Sequence, residues 1–204
     1  MTSWIEFWNS ANSIYVGPDH LRAHFERLGS DLAALLPPRR PLVVLDHGCG
    51  DALASEHLRA GGNTLLLYDA SVDVQRRLRA RLASAADIRI LDESGLESLP
   101  PASVDVVIAS SVLQYIAREA LSALLRRWYE LLKPGGHLIV ADVISPDTGV
   151  LADIADLLRL AWEEGFFLSA ILGLFRTYFS DYRRLRRDIG LARYRPRDFI
   201  GLLN

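Results

Sequence analysis

Two aspartates and two glycines in the first half of the chain have the types and the spacing of a nucleotide-binding site. Asp46 is followed closely by Gly48 and Gly50, at the end of an apolar run and before a helical pattern. Glycine permits a sharp turn and lets a ligand approach the backbone without a Cβ in the way. Asp69 lies 23 residues after Asp46, near the ~20 expected of a carboxylate that binds a ribose diol. Together these residues predict a site for a ribose-containing cofactor.

The elements around these residues predict an α/β fold. Five short, mostly apolar segments alternate with helical patterns, at 41–46, 64–69, 88–91, 104–109 and 137–143. Such alternation requires right-handed parallel crossovers and places helices on both faces of the sheet. We therefore expect a Rossmann-like, doubly wound and mostly parallel sheet of at least five strands in the order 3-2-1-4-5. The glycine turn then lies at the carboxyl end of the first strand, where such folds bind ligands.

Four segments, in this order, resemble the motifs of class I S-adenosylmethionine-dependent methyltransferases of the small-molecule type. They are LDHGCG at 45–50, Asp69 after the second strand, VDVVIAS at 104–110, and LKPGG at 132–136. The resemblance covers about residues 40–143. It implies S-adenosylmethionine as the cofactor and methyl transfer to an O, N or C atom of a small acceptor.

The resemblance also implies roles for single residues. In the family, the first acid and the glycines position the methionine part of the cofactor, and the acid after the second strand binds the ribose. Acidic or polar residues after the third strand meet the adenine, and the end of the fourth contributes backbone contacts. Carried over, these cofactor-binding roles fall on Asp46, Gly48, Cys49, Gly50, Asp69, Ala70, Asp92 or Glu93, Ser110 and Ser111.

An aromatic residue near the N-terminus is a further candidate. Tyr15 resembles the side chain that an N-terminal helix lays over the cofactor in small-molecule methyltransferases, although ordinary helix packing explains it equally well. The sequence also departs from the family pattern. Ala52 replaces the usual third glycine, the segment 92–100 is longer than its family counterpart, and the last two strands of the family have no counterpart before the sequence stops at Asn204.

The chemistry of methyl transfer does not require a catalytic side chain. Alignment and exclusion of water accelerate an in-line displacement, and a base is needed only when the acceptor must lose a proton. Tyr115, just after the fourth strand, is the one catalytic candidate, and a structural role is equally compatible with its position. His20 and His24 lie one helical turn apart, but no third ligand has matching spacing, so we predict no metal site.

The chain divides into three regions within a single domain. We expect an N-terminal helical cap at 1–38, the cofactor-binding core at 39–144 and a helical lid at 145–204. Residues 157–179 are rich in Leu and Phe, and eight Arg against two Asp follow between 176 and 197. An apolar lid predicts a lipophilic acceptor, and apolar faces flanked by Arg are typical of peripheral membrane helices. Packing on the sheet or in a homodimer explains 157–187 equally well.

Composition excludes some classes of protein and leaves two alternatives. A net charge of −2 argues against general nucleic-acid binding. A single cysteine and no apolar run of ~20 residues predict a cytoplasmic protein, with contact to the inner face of a membrane as an option. An NAD(P)-dependent oxidoreductase is disfavoured because the third glycine of its motif is missing and because it gives no reason for KPGG at 133–136. A non-catalytic, methyltransferase-like interaction module is the other alternative.

Overall fold

The computed structural model describes residues 18–39 and 41–143, together with Trp162 and Phe199. Residues 1–17 of the predicted cap, including Tyr15, and nearly all of the predicted lid lie outside these residues. The helices are α1 (Pro18–Ala34), α2 (Ser55–Arg59), α3 (Val72–Arg81), α4 (Glu93–Glu97) and α5 (Arg118–Leu131), with a 3-10 turn at Leu113–Tyr115. The strands are β1 (Val43–His47), β2 (Thr64–Tyr68), β3 (Ile88–Leu91), β4 (Val104–Ser110) and β5 (Leu132–Ala141).

The five strands form one sheet in the order β3-β2-β1-β4-β5, and every pair is parallel. β1 lies at the centre, where Asp46 pairs in register with Leu67 of β2 and with Ile108 of β4. Because β1 is followed by strands on opposite sides of it, the strand order reverses there, and the crevice at its carboxyl end is the ligand position of this architecture. The predicted fold and strand order are confirmed.

The sheet is covered on both faces by separate apolar clusters. On one face, Val44 and its neighbours pack against side chains from α1, α2 and α3. On the other, Leu45 and its neighbours pack against α4 and α5, where Trp128 is fully buried, and Phe199 lies in the same cluster. The apolar side chains of α5 accordingly point into the core. Side chains along β1 therefore point alternately to the two faces of the sheet, and those on both faces must be apolar until the strand ends.

The start of β5 differs from the expectation, because the strand begins at Leu132 rather than at 137. Val104 pairs with Leu132 but Val106 pairs with His137, so extra residues of β5, 133–136, bulge out of the ladder. Gly135 has a φ of +73°, which supplies the left-handed turn that this bulge requires. The KPGG segment is thus a turn embedded within the strand.

The bulge carries Lys133, the only lysine of the chain, to Asp105 of β4. Lys133 Nζ lies 2.8 Å from Asp105 Oδ2, Val43 N donates to the same oxygen at 2.9 Å, and Arg39 lies 3.2 Å from Oδ1. Burial raises the pKa of Asp105, but the bonds from Lys133 and Val43 outweigh it, and the net pKa is lowered. Lys133 therefore fastens the amino ends of β1, β4 and β5 together, away from the carboxyl-end crevice.

Two further differences lie beside the crevice. The helix predicted from about residue 51 begins only at Ser55, because 49–52 form a tight turn in which Ala52 N donates to Cys49 O at 2.8 Å. The segment after β3 contains α4, which was not predicted, and Asp92 caps it by accepting a hydrogen bond from Gly95 N at 2.8 Å.

Candidate functional site

The glycine turn after β1 is tied to β2 and leaves open space on its outer side. Gly48 N and Cys49 N both donate to Tyr68 O, at 2.7 and 3.0 Å. Gly48 and Gly50 have φ values of +80° and +52°. A Cβ on Gly48 would lie within 3.0 Å of Val112, closer than real Cβ atoms come, whereas a Cβ on Gly50 would meet nothing within 4 Å. Gly48 is thus required by packing, and Gly50 borders a space that a ligand can enter.

Asp69 is held rigidly at the end of β2. Its Oδ2 accepts a hydrogen bond from Gly50 N at 3.0 Å, its Oδ1 accepts one from Ser71 N at 2.8 Å, and Gln75 Nε2 donates to its backbone oxygen at 2.8 Å. Burial raises the pKa of Asp69, and the bonds from Ser71 and Gly50 only partly oppose this. Each carboxylate oxygen keeps a further lone pair, so the group can accept two more hydrogen bonds from a diol.

Asp46 is a buried carboxyl group with no protein partner among the described residues. It lies at the carboxyl end of β1, is 8% exposed, and makes no side-chain hydrogen bond or ion pair there. Burial, and next the charge of Asp69, raise its pKa to about 7. A buried carboxylate without a cation or donor is destabilising, so the position favours a positively charged ligand group.

Cys49, between the two glycines, is a neutral thiol. Burial, followed by the charges of Asp46 and Asp69, raises its pKa well above the ordinary value. A thiol that stays protonated is a poor nucleophile. Cys49 therefore contributes backbone geometry and a small side chain to the turn, as expected from its neighbours.

The end of β4 forms the wall opposite β2. Ser111 has a φ of +57° and donates its N–H to Ala141 O of β5 at 3.1 Å. Val112 then reaches Gly48, which brings residues 110–112 against the glycine turn. Ser110 Oγ and Gln114 Oε1 are buried without a partner among the described residues. Tyr115, the catalytic candidate, is partly buried in the 3-10 turn that follows.

The two acids after β3 are engaged in local structure. Asp92 accepts hydrogen bonds from Gly95 N and Ser94 Oγ, which lower its pKa. Glu93 accepts a hydrogen bond from the Tyr68 hydroxyl. The structure therefore brings Asp46, the glycine turn, Asp69 and Ala70 together, with Ser110 and Ser111 adjoining and with Asp92 and Glu93 beyond the end of β3.

Two polar residues beside this turn, His47 and Asp142, were not predicted as site residues. His47 is buried between the rings of Tyr68 and Trp128, at 4.8 and 5.1 Å, and burial lowers its pKa to about 4. Asp142 follows β5 and accepts a hydrogen bond from Ser111 Oγ. The available signal was a polar side chain directly at the end of a buried strand. His137 is exposed on β5, and no three metal-ligating side chains converge within 18–39 and 41–143.

A family model described as a methyltransferase domain matches residues 45–138, which contain the glycine turn, Asp69 and the carboxyl ends of β2 and β4. The chain therefore contains a methyltransferase domain. The predicted family, with its cofactor S-adenosylmethionine, is thereby confirmed. The oxidoreductase and the non-catalytic module are not favoured.

Several curated proteins are similar to this chain over part of their length. A malonyl-[acyl-carrier protein] O-methyltransferase of Enterobacter lignolyticus is 32% identical over 148 residues, covering 70% of this chain and 54% of that protein. An uncharacterized methyltransferase of Mycobacterium tuberculosis is 34% identical over 118 residues, covering 55% and 58%. A carboxy-S-adenosyl-L-methionine synthase of Dichelobacter nodosus is 35% identical over 128 residues, covering 60% and 50%. The chain thus spans about half the length of these relatives.

Solved structures show the same fold at lower identity. A SAM-dependent methyltransferase from Aquifex aeolicus superimposes with a TM-score of 0.51 at 15% identity, covering 73% of this chain and 83% of that one. A putative sarcosine dimethylglycine methyltransferase from Galdieria sulphuraria gives 0.54 at 19%, covering 78% and 67%. In the part of this chain that is described, no helix is both long and apolar enough to span a membrane.

Proposed function

We propose that this chain transfers a methyl group from S-adenosylmethionine to a small acceptor. The observation that carries the proposal is the pair of carboxyl groups at the glycine turn. Asp69 is fixed with lone pairs to spare, and Asp46 is buried without a partner among the described residues. A cofactor with a ribose diol and a positively charged amino-acid part complements both groups.

The same electrostatics argue against a nicotinamide dinucleotide. NAD(P) places its pyrophosphate on the glycine turn of a Rossmann fold. Here that turn is flanked by Asp46 and Asp69, each of which raises the pKa of the Cys49 thiol through its negative charge. A pyrophosphate would add further negative charge to this neighbourhood, whereas a sulfonium and an ammonium would offset the charge already present.

The residues around the turn then share the work of binding. Asp46 and the turn 48–50 hold the methionine part, Asp69 with Ala70 holds the ribose, and Asp92 or Glu93 borders the adenine. Ser110 and Ser111 contribute backbone contacts from the end of β4. Bound S-adenosylmethionine supplies a methyl group activated by a sulfonium, so the protein's task is to align the acceptor and exclude water. Tyr115 stays a candidate for contact with the acceptor.

Calorimetric titration with S-adenosylmethionine, S-adenosylhomocysteine and NADH tests this proposal. We expect the first two to bind and NADH not to bind. Asp69→Asn should weaken S-adenosylhomocysteine at least ~10-fold, because a carboxylate accepts stronger hydrogen bonds than an amide. Asp31→Asn is the charge-matched control, because Asp31 is an exposed acid near the C-terminal end of α1. Binding of NADH alone, or equal binding by both variants, would contradict the proposal.

The lipophilic character proposed for the acceptor rests on the sequence of 157–179. The same region, with the basic residues up to 187, supports contact with an anionic membrane surface, and Trp162 within it is 75% exposed. Flotation with vesicles containing phosphatidylserine at low salt tests this second proposal. Co-flotation is expected, and a protein that stays in the dense fraction would refute it. Sedimentation equilibrium in the same buffer reports whether the region joins two copies instead.

A further inference from the structure

The carboxyl ends of β4 and β5 carry an unusual pair of residues. Ser111 and Asp142 both adopt left-handed backbone conformations, with φ of +57° and +53°. Neither is glycine, so each conformation is strained. The Ser111 hydroxyl donates a hydrogen bond to Asp142 Oδ2. The two strained residues therefore hold each other's side chains in place across 31 positions of sequence.

The hydrogen bond between them decides what the pair can bind. A serine hydroxyl has one proton, and here it is donated to Asp142. An ionised carboxylate has none. What remains for a ligand is the lone pairs of Ser111 Oγ and of the second Asp142 oxygen, which has no partner among the described residues. The pair accepts hydrogen bonds and donates none.

The charge of Asp142 is not cancelled by its surroundings. No basic side chain in the described residues forms an ion pair with Asp142, which is exposed. His24 of α1 is close enough for the charge of Asp142 to raise its pKa, but burial lowers that pKa more, and the net shift is downward. Burial therefore favours the neutral form of His24, so this side chain does not offset the charge of Asp142.

The pair lies beside the glycine turn. Val112 follows Ser111 directly and reaches Gly48, so the pair and the turn share one wall of the crevice. An acceptor-only, negatively charged edge at this place suits an ammonium or a hydroxyl and repels a carboxylate.

We propose that Ser111 and Asp142 form a subsite for a hydrogen-bond-donating group, an ammonium or a hydroxyl, of a ligand held over the glycine turn. This inference rests on the proposed function, because it assumes a ligand in that crevice. Such a group is carried by an amine or alcohol acceptor, and also by the amino-acid part of the cofactor. Carboxylate acceptors do not fit the subsite.

Two variants isolate the charge from the backbone. Asp142→Asn keeps the shape, and asparagine tolerates the left-handed region as aspartate does. Asp142→Gly removes the side chain and fits the same φ. Asp31→Asn is again the charge-matched control. Each protein is titrated with S-adenosylhomocysteine, and the loaded protein is then titrated with octylamine, 1-octanol and octanoate, and thermal melts check that every variant folds.

We expect the wild-type chain to bind octylamine more tightly than octanoate, and both Asp142 variants to lose at least tenfold of the octylamine affinity. If the affinity for S-adenosylhomocysteine is unchanged in the variants, the group that donates the hydrogen bond belongs to the methyl acceptor. If that affinity also falls tenfold, the group belongs to the cofactor. If neither ligand is weakened, or if octanoate binds more tightly than octylamine, the subsite is refuted. Failure of wild type to bind S-adenosylhomocysteine would instead overturn the proposed function.

Discussion

Asp46→Asn should make the ligand-free protein more stable at neutral and alkaline pH. Asp46 is buried, its pKa is raised to about 7, and it has no partner among the described residues. In an unfolded chain the same carboxyl group loses its proton near its ordinary pKa of about 3.9. The folded protein therefore ionises this group only at a cost, and the amide removes the cost.

The sign and size follow from proton linkage. Between pH 4 and pH 7 the folded state holds a proton that the unfolded state has lost, so stability falls as pH rises through this window and levels off above it. A shift from 3.8 to about 7 is about three units, or ~4 kcal/mol at 1.36 kcal/mol per unit. Burial is the larger cause and Asp69 the smaller, so Asp69→Asn should remove only a minor part.

Urea denaturation of both proteins at pH 5 and pH 8 measures the effect. The two unfolding free energies should be similar at pH 5, because the protonated acid and the amide are both neutral. At pH 8 the variant should exceed wild type by several kcal/mol, up to ~4 kcal/mol. Equal stabilities of the two proteins at pH 8 would show that Asp46 is not an uncompensated buried acid. So would a variant whose stability falls between pH 5 and pH 8 by as much as that of wild type.

Four further substitutions test the glycine turn, the Lys133 contact and the cap of α3. Gly50→Ala should cost only about 1 kcal/mol of stability, from its left-handed φ, yet abolish S-adenosylhomocysteine binding by calorimetry. Gly48→Ala should unfold at a clearly lower urea concentration. Equal stabilities of these two variants would contradict the packing argument. Lys133→Ala should cost ~1–3 kcal/mol at pH 7 by depriving buried Asp105 of a partner, and the deficit should shrink below about pH 4 as Asp105 protonates; a pH-independent deficit would refute this. Ser71→Ala, which removes the cap of α3, should lower stability by ~1 kcal/mol in urea melts, and no change would refute the cap.

The sequence was sufficient for those features that depend on neighbouring residues. β3 occupies 88–91 as expected. The glycine turn and Asp69 were recognisable because strand ends, glycines and acids follow each other at short range. The parallel alternation then brought them to one crevice.

Features that depend on contacts across the sheet could not be predicted. Lys133 pairs with a carboxylate 28 positions away, and the strained Ser111 is hydrogen-bonded to Asp142, 31 positions away. Neither pairing has a local pattern, because the register between β4 and β5 is set by the bulge at 133–136 rather than by periodicity. That Asp46 has no partner among the described residues likewise becomes visible only once its neighbours in the fold are in place.

Proton release on cofactor binding tests the central claim most directly. If a cationic ligand group pairs with Asp46, whose pKa is about 7, the ~90% of molecules protonated at pH 6 must lose that proton on binding. Calorimetry of S-adenosylmethionine at pH 6, in buffers of different ionisation enthalpy, should then report close to one proton released by wild type and none by Asp46→Asn. The same proton count in both proteins, or no binding by wild type, would contradict the account.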